Sequence, residues 1–149
     1  MLTERKTRNE KIILVPNRRA ETTVRALDAI ERKLGAEKFG TIYKSITVDN
    51  GTEFAMADEI ERSCLIDGQR TKVYYCHPYS SWERGSNENV NGMIRRKHPK
   101  GTDFSKVTPE EIAATEAWIN NYPRKIHGYK SAAAMFRQCL RGTRVDRMR

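Results

Sequence analysis

Two carboxylates in this sequence stand where metal-dependent phosphate chemistry would need them. Asp49 directly follows an alternating apolar run at residues 46–48 that predicts a β-strand, and Glu88 falls in the first turn of a predicted helix. A carboxylate at a strand end and one on a helix can share divalent cations, because Mg²⁺ prefers oxygen ligands and is held by few carboxylates plus a substrate phosphate. The same residues also fit an Asp-Asn-Gly turn and a solvated surface acid. Spacing alone leaves both interpretations open.

The helix that carries Glu88 is predicted to be amphipathic. At about 100° per residue, one face presents polar groups and the opposite face presents mainly apolar ones. The polar face contains Glu88, Asn91, Gly92 and Arg95, and the other face contains Val90, Met93, Ile94 and Lys97. We expect the apolar face to pack inward and the polar stripe to face solvent. Arg95, and Arg84 in the preceding loop, could then bind DNA phosphates.

The elements that would position these acids are predicted from apolar periodicity and from turn residues. They are strand 11–16, helix 21–34, strand 45–49, helix 55–66, strand 71–76, a loop, helix 87–97, helix 109–122 and helix 131–140. Alternating strands and helices, followed by helices alone, indicate an α/β fold with a helical C-terminal end.

Local signals refine this assignment. Thr108 and Glu111 form a predicted capping box at the start of a helix, and Ser131 is the predicted cap of the last one. Trp118 is expected in the core. Tyr74 and Tyr75 alternate along a strand, so one is expected in the core and the other on the surface.

The composition indicates a polar chain that is long enough to build a core. It has 149 residues, of which 38% are hydrophobic and 32% are charged, which fits one domain. No apolar run approaches the ~20 residues that span a bilayer. The charged N-terminus also lacks the apolar segment of a signal peptide. We therefore expect no membrane association and a cytoplasmic location.

The three cysteines do not predict a structural metal or disulfide. Cys64, Cys76 and Cys139 are an odd number without a CxxC pair, which argues against a disulfide framework and against a zinc ribbon. Cys64 with Cys76 and His77 is a weak zinc candidate, because the spacing is unlike that of most zinc sites. Partly buried thiols beside a loop histidine explain the pattern as well.

The charge is strongly positive and is concentrated near the C-terminus. The formal net charge is +9, and residues 123–149 contain eight basic residues and one acid. A basic patch of this kind suits a polyanion such as DNA. A solvated basic tail is the alternative, and the charge count does not separate the two.

Several stretches of the chain carry a family resemblance. They are DNGTEF at 49–54, VYYCHPYSSWERGSNENVNGMIRRKHPKGTDF at 73–104, NNYPRKIHGYKSAAAMF at 120–136, ERKTR at 4–8 and PNRRAETTVRAL at 16–27. Together they resemble the catalytic domain of bacterial insertion-sequence transposases, in particular the insertion-sequence-thirty family. The resemblance extends from about residue 4 to residue 138, and the block at 82–95 is its most specific part.

This resemblance implies a fold and an active site. The fold would be α/β, an RNase H-like (retroviral-integrase-type) catalytic core lacking its first strand, with C-terminal helices. The chemistry would be that of a DDE site, in which three carboxylates hold two Mg²⁺ (or Mn²⁺) ions for DNA strand cleavage and strand transfer. By motif match Asp49 is the second acid and Glu88 the third, so both are expected to be catalytic and to bind metal. Glu83 is the rival third acid, but only Glu88 has Arg95 on its own face.

The partner implied by the resemblance is DNA, both transposon ends and target. A homo-oligomer or an intact transposase is a further expected partner. Trp82 fits either a base-stacking residue or an anchor of its loop. The residues expected to contact DNA are Arg84, Asn91, Arg95, Arg96, Arg124, Lys125 and Lys130.

The chain also departs from the family pattern. The family's first acid lies on a strand before the ERKTR stretch, and no Asp precedes Asp28 here, which falls in a predicted helix. The N-terminal helix-turn-helix region of the family is also missing. We therefore expect a C-terminal piece of a transposase, whether a decayed copy, a misassigned start or a deliberately shortened chain. Asp49 and Glu88 are a few residues further apart than is usual, and we assign the extra residues to a surface connection near 64–72.

Two functions from different classes follow. One is a transposase catalytic core, partial over residues 1–138 and followed by a basic tail over 139–149, whose chemistry belongs to the intact parent. The other is a non-catalytic nucleic-acid-binding remnant that could regulate an intact transposase. An RNase H-like nuclease unrelated to transposition is a third, weaker interpretation.

Overall fold

The structure, a computed structural model, describes residues 1–80 and 85–147 and divides into two compact units. The terminal unit joins Met1–Leu14 to Gly85–Arg149, and the central unit comprises Val15–Arg84. The described residues form a mixed α/β chain with six α-helices and two small sheets, which confirms the predicted α/β class at that level. None of the described helices is long and apolar enough to cross a bilayer.

The elements are numbered in chain order. The strands are β1 (Leu2–Thr3), β2 (Glu10–Lys11), β3 (Ser45–Val48) and β4 (Lys72–Tyr75). The helices are α1 (Ala20–Leu34), α2 (Ala36–Ile42), α3 (Ala57–Glu61), α4 (Gly85–Lys97), α5 (Pro109–Asn121) and α6 (Ala132–Arg147).

The first long helix of the central unit, α1, forms where the periodicity predicts it. Its apolar positions at helical spacing, Val24, Leu27 and Ile30, are buried. Gly35 ends the helix with a φ of 83°, a left-handed value that favours glycine, and its N–H donates to the Glu31 carbonyl oxygen at 2.7 Å. Helix α3 is shorter than the predicted 55–66, because the chain leaves the helix after Glu61.

The sheet of the central unit pairs β3 and β4 in parallel. Its register runs from Ser45 opposite Lys72 to Val48 opposite Tyr75, and the predicted strands are confirmed. Tyr74 and Tyr75 are 55% and 43% exposed, so the prediction that one of them lies in the core is wrong. Tyr75 stays near the surface because its hydroxyl donates to the Phe54 carbonyl oxygen.

A buried arginine connects the helices of the central unit. The Arg70 side chain is fully buried, and its Nη1 donates to Asp28 at 2.6 Å and to Glu31 at 3.1 Å, both on α1. Its Nε donates to the Ile60 carbonyl oxygen of α3 at 2.8 Å. Its guanidinium also lies over the Phe39 ring of α2 at 5.5 Å.

Glu31 completes this network as an ionised acid. Burial raises the pKa of Glu31, but hydrogen bonds from Ser63, from the Cys64 N–H and from Arg70 outweigh it and hold the pKa below its ordinary value. The carboxylate therefore stabilises the fold while it is charged, and this contribution is lost as the pH falls through the lowered pKa.

The N-terminal residues of the terminal unit are fixed by side chains of α5. Asn120 accepts from the Glu10 N–H at 2.8 Å and donates to the Glu10 carbonyl oxygen at 2.9 Å, as a neighbouring strand would. Glu116 accepts from the Ile12 N–H at 2.9 Å and pairs with Lys11 at 3.1 Å. The predicted strand 11–16 is therefore wrong, since β2 ends at Lys11 and the next backbone N–H bonds to a helix side chain.

The core of the terminal unit lies between α4 and α5. Val90 and Met93 of α4 pack with Ile119 of α5, and Ile12, Ile94 and Trp118 lie against this cluster. Trp118 is only partly buried, so it lies at the edge of the core and not inside it as predicted, and the Lys97 ammonium is 4.9 Å from its ring.

Two predicted caps in this unit are confirmed. Thr108 and Glu111 form the capping box of α5, with each side chain bonded to the other's backbone N–H. The Ser131 hydroxyl accepts from the Ala134 N–H at 3.2 Å, so the expected cap also forms at α6, which continues to Arg147 beyond the predicted end.

The Arg70 network predicts a large difference between two arginine substitutions. Arg70→Met should lower the free energy of unfolding by about 3–5 kcal/mol, because it leaves the buried acids Asp28 and Glu31 without their cation. Arg62→Met is the matched control, since Arg62 pairs with Glu59 on the surface and its loss should leave the free energy of unfolding nearly unchanged. Denaturant unfolding measures both, and equal losses would contradict the assignment.

Asn120 and Asn121 form a second matched pair. Asn120→Ala should lower the free energy of unfolding by about 2 kcal/mol or more, because the buried N–H and C=O of Glu10 lose their partners. Asn121→Ala removes only an exposed bond to the Ala117 carbonyl oxygen and should cost about 0.5 kcal/mol or less. The comparison uses the same denaturation measurement, and a loss at Asn120 no larger than at Asn121 would refute this attachment.

Candidate functional site

The first predicted acid, Asp49, directly follows β3 in the central unit. Its Oδ1 accepts from the Gly51 N–H at 3.0 Å, so the side chain shapes the turn that ends the strand. The Asn50 amide donates to the Cys76 carbonyl oxygen at 3.4 Å, just after β4. The Asp-Asn-Gly motif therefore forms a turn, as one of the two interpretations predicted. The turn leaves the partly buried Asp49 carboxylate at the C-terminal end of a parallel strand.

A second carboxylate lies beside Asp49. A Cβ built on Gly51 would lie 2.5 Å from Glu53 Oε2 and 2.9 Å from Asp49 Oδ1, so that these two oxygens are at most 5.4 Å apart. Glycine at this position lets both carboxylates approach the backbone. Glu53 is not among the residues predicted from the sequence, although it lies in the DNGTEF motif that carries Asp49.

The second predicted acid, Glu88, is exposed in the first turn of α4 in the terminal unit. Asn91, Gly92 and Arg95 are exposed as well, whereas Val90 and Met93 are buried, as the predicted amphipathic pattern requires. Asp49 and Glu88 thus lie in different units, and each is positioned by the packing of its own unit.

A basic cavity lies near the Asp49 turn within the central unit. Its volume is about 580 Å³, and Arg18, Arg19, Arg25 and Thr52 are among its lining residues. The first turn of α1 also lines the cavity, and Arg19 makes no side-chain cap there. These arginines are not among the residues predicted from the sequence, although they form a basic run at a predicted helix start.

The predicted DNA-contacting residues fall into three groups. Asn91, Arg95, Arg96, Lys125 and Lys130 are exposed. Arg124 is only 8% exposed, so most of its side chain is enclosed by the terminal unit. Arg84, with Glu83 and Trp82, lies outside the described residues.

Asp28, Glu31 and Cys64 form a buried cluster of residue types that can bind a metal, but contacts with other residues of the chain explain the cluster. The three ligand atoms lie within 4.8 Å of one another. Arg70 already pairs with both acids, and burial and Glu31 raise the pKa of the Cys64 thiol, which keeps it protonated. A protonated thiol is a poor metal ligand, so we interpret this cluster as structural.

A buried acid occupies the terminal unit. Glu10 has no exposed surface; Thr3 donates to its Oε2 at 2.8 Å, and its Oε1 has no hydrogen-bond partner among the described residues. Burial raises the pKa of Glu10 to about 7, against smaller opposing effects of Thr3, Arg124, the N-terminus and Arg8.

Comparisons with known proteins add the family. The chain is 47% identical over 103 residues to the transposase for insertion sequence element IS4351 of Bacteroides fragilis, a match that covers 69% of the chain and 30% of the relative. It is 32% identical over 140 residues to the transposase for IS1086 of Cupriavidus metallidurans, covering 94% of the chain and 39% of the relative. It is 35% identical over 134 residues to the transposase InsI for IS30A of Escherichia coli (strain K12), covering 84% and 34%.

These relatives identify the class. The chain belongs to the insertion-sequence transposases. More narrowly it is of the IS30 type, which confirms the resemblance found in its sequence motifs. The chain spans about a third of the length of these three relatives. No protein-family model and no solved structure matches it.

The raised pKa of Glu10 predicts an unusual pH dependence of stability. Between pH 4.5 and about 7, the Glu10 carboxyl takes up a proton when the chain folds. Its contribution to the free energy of unfolding is therefore fully present below pH 4.5 and is lost as the pH rises through about 7. Glu10→Gln abolishes this pH-dependent loss. The free energy of unfolding of the variant, relative to that of the unsubstituted chain, should therefore rise by up to about 3 kcal/mol between pH 5 and pH 8.

The control for this measurement is Glu4→Gln. Hydrogen bonds from Thr7 and Lys6 lower the pKa of Glu4 despite its partial burial, so its effect should be constant between pH 5 and pH 8. Denaturant unfolding at both pH values tests the pair. A Glu10→Gln effect that does not change with pH would show that Glu10 is ionised in the folded chain.

Proposed function

We propose that this chain is the catalytic core of a DDE-type transposase with an RNase H-like fold, which acts in DNA strand cleavage and strand transfer within its parent protein. One observation carries the proposal: the family-motif acid Asp49 lies at the C-terminal end of a parallel strand with the Glu53 carboxylate beside it. The homologous transposases support DNA transposition as the process.

The donor groups suit a hard divalent cation. Asp49 and Glu53 offer carboxylate oxygens at most 5.4 Å apart, and Mg²⁺ (or Mn²⁺) prefers oxygen ligands with several waters retained. Bound there with Glu88 as a further ligand, Mg²⁺ would supply activation of the attacking oxygen and stabilisation of the leaving oxygen.

The chain's own basic residues would position the DNA. Arg18, Arg19 and Arg25 line the cavity that reaches Thr52, so they can hold backbone phosphates near the Asp49 turn. Arg95 and Arg96 are exposed on α4 of the terminal unit and can also contact backbone phosphates. Such contacts orient the scissile bond but carry no sequence information.

A non-catalytic nucleic-acid-binding role is the second candidate, and the exposed basic residues of both units favour it. Charge alone would then bind DNA, with a steep salt dependence and no response to Mg²⁺. Pairing with a second copy or with an intact transposase also stays a prediction.

A metal titration separates the two functions. Asp49→Asn should weaken Mn²⁺ binding about tenfold or more, because one carboxylate ligand is lost, whereas Asp58→Asn, at an exposed position of α3, should leave it unchanged. The free Mn²⁺ signal in electron paramagnetic resonance measures the affinity. Glu88→Gln should also weaken binding, and its matched control is Glu110→Gln, an exposed acid in the first turn of α5.

Nicking of a labelled duplex that carries the ends of the encoding element gives the functional measurement. When the substitutions are placed in the parent transposase, nicking in the presence of Mg²⁺ should be lost in Asp49→Asn and Glu88→Gln and kept in both control variants. Mn²⁺ affinity that is the same in Asp49→Asn and in the unsubstituted chain would overturn the catalytic proposal. DNA binding that depends on salt but not on Mg²⁺ would then support the binding role.

A further inference from the structure

The terminal unit contains a cavity of about 390 Å³ that the proposed active site does not use. Three separate parts of the chain form it: the turn between β1 and β2, the first turns of α4, and the segment that follows α5. Its lining residues are Arg8, Glu10, Ser86, Asn89, Val90, Arg124, Lys125 and Ile126. The volume lies near the lower end of the range for small-molecule pockets in proteins.

The lining has an excess of positive charge. Arg8, Arg124 and Lys125 each contribute a cation, and Glu10 is the one acid among the lining residues. Burial raises the pKa of Glu10 to about 7, so its carboxyl is partly neutral near physiological pH and opposes an anion only in part. The Asn89 amide adds neutral donors beside these cations.

Arg124 is the strongest indication of a ligand. It is only 8% exposed, yet its Nε has no hydrogen-bond partner among the described residues, and its Nη2 reaches the Ile119 carbonyl oxygen only at 3.5 Å. A guanidinium has five N–H donors, and a buried donor without an acceptor is costly. An acceptor bound in the cavity that Arg124 lines would remove this cost.

The backbone at Arg8 holds a second cation at the same place. Arg8 has a φ of 61°, a left-handed value that is uncommon and strained for a residue with a side chain. Its N–H donates to the Glu4 carbonyl oxygen at 2.8 Å, and its Nη1 donates to the Ser86 hydroxyl at the start of α4. The turn therefore directs a guanidinium toward the cavity and the N-terminal end of a helix, where anions are favoured.

We infer that this cavity binds a phosphate group, with Lys125 and Arg8 as its charged contacts, the Asn89 amide as a neutral donor and Arg124 as the buried donor. The phosphate can come from a nucleic-acid strand or from a free phosphate monoester. The choice of DNA as the source rests on the proposed function, whereas phosphate recognition does not. An ordered water bonded to the unpartnered atoms is the competing explanation.

Calorimetric titration of the whole chain in the presence of EDTA tests this inference. The probes are inorganic phosphate, a 5′-phosphorylated trinucleotide and the same trinucleotide with a 5′-hydroxyl. We expect Lys125→Gln and Asn89→Ala each to weaken phosphate binding about five- to tenfold, because each removes one direct contact. Lys100→Gln is the matched control, an exposed lysine of the same unit outside the cavity lining, and should change the affinity less than twofold.

The outcomes are distinct. Tighter binding of the 5′-phosphorylated trinucleotide would assign the cavity to a strand terminus, and equal binding of both trinucleotides would assign it to an internal phosphodiester. Undetectable binding of all three probes at millimolar concentration, or equal affinities for Lys125→Gln and Lys100→Gln, would overturn the inference and leave water as the occupant. Since no metal is present, a chain that fails to nick DNA can still pass this test, and the two proposals fail separately.

Discussion

The central unit depends on one buried guanidinium. Arg70 lies two residues before β4, and it bonds to two acids of α1 and to a carbonyl of α3 while covering an aromatic ring of α2. Helix α3 packs against β4, and the paired strand β3 ends at Asp49. The position of the proposed catalytic acid Asp49 therefore depends on Arg70, a buried charged residue outside the proposed active site. Buried ion pairs add little net stability, but removal of one partner is costly.

The terminal unit is held by polar groups of a different kind. Asn120 and Glu116 of α5 bond to the backbone of residues 10–12, so helix side chains make the hydrogen bonds that a neighbouring strand would otherwise make. This attachment brings the β1–β2 turn to the start of α4, where Arg8 donates to Ser86. The cavity that we assign to phosphate exists because the first residues of the chain and residues 124–126 meet beside α4.

The sequence predicts what periodicity and capping chemistry encode. Helix α1, the capping box of α5, the parallel strands and the exposed stripe around Glu88 all follow from residue spacing. The strand prediction for residues 11–16 is wrong because an apolar run has the same pattern whether its backbone N–H groups bond to a neighbouring strand or to a side chain. The burial of Arg70 is not predicted, for a related reason. Arg70 lies in a segment interpreted as a surface connection, and a single buried polar residue has no periodic signal. The burial of Glu10 and Arg124 is likewise invisible without the tertiary contacts.

The division into two units bears on how the proposed site would work. Asp49 and Glu53 both belong to the central unit, so a cation held by these two acids requires only that unit to be folded. Glu88 is fixed separately, by the packing of α4 on α5 in the terminal unit. Loss of the Arg70 network would therefore disturb the Asp49–Glu53 pair, whereas loss of the Asn120 attachment would disturb only the unit that carries Glu88. The effect of Arg70→Met on metal affinity thus reports on the Asp49–Glu53 pair.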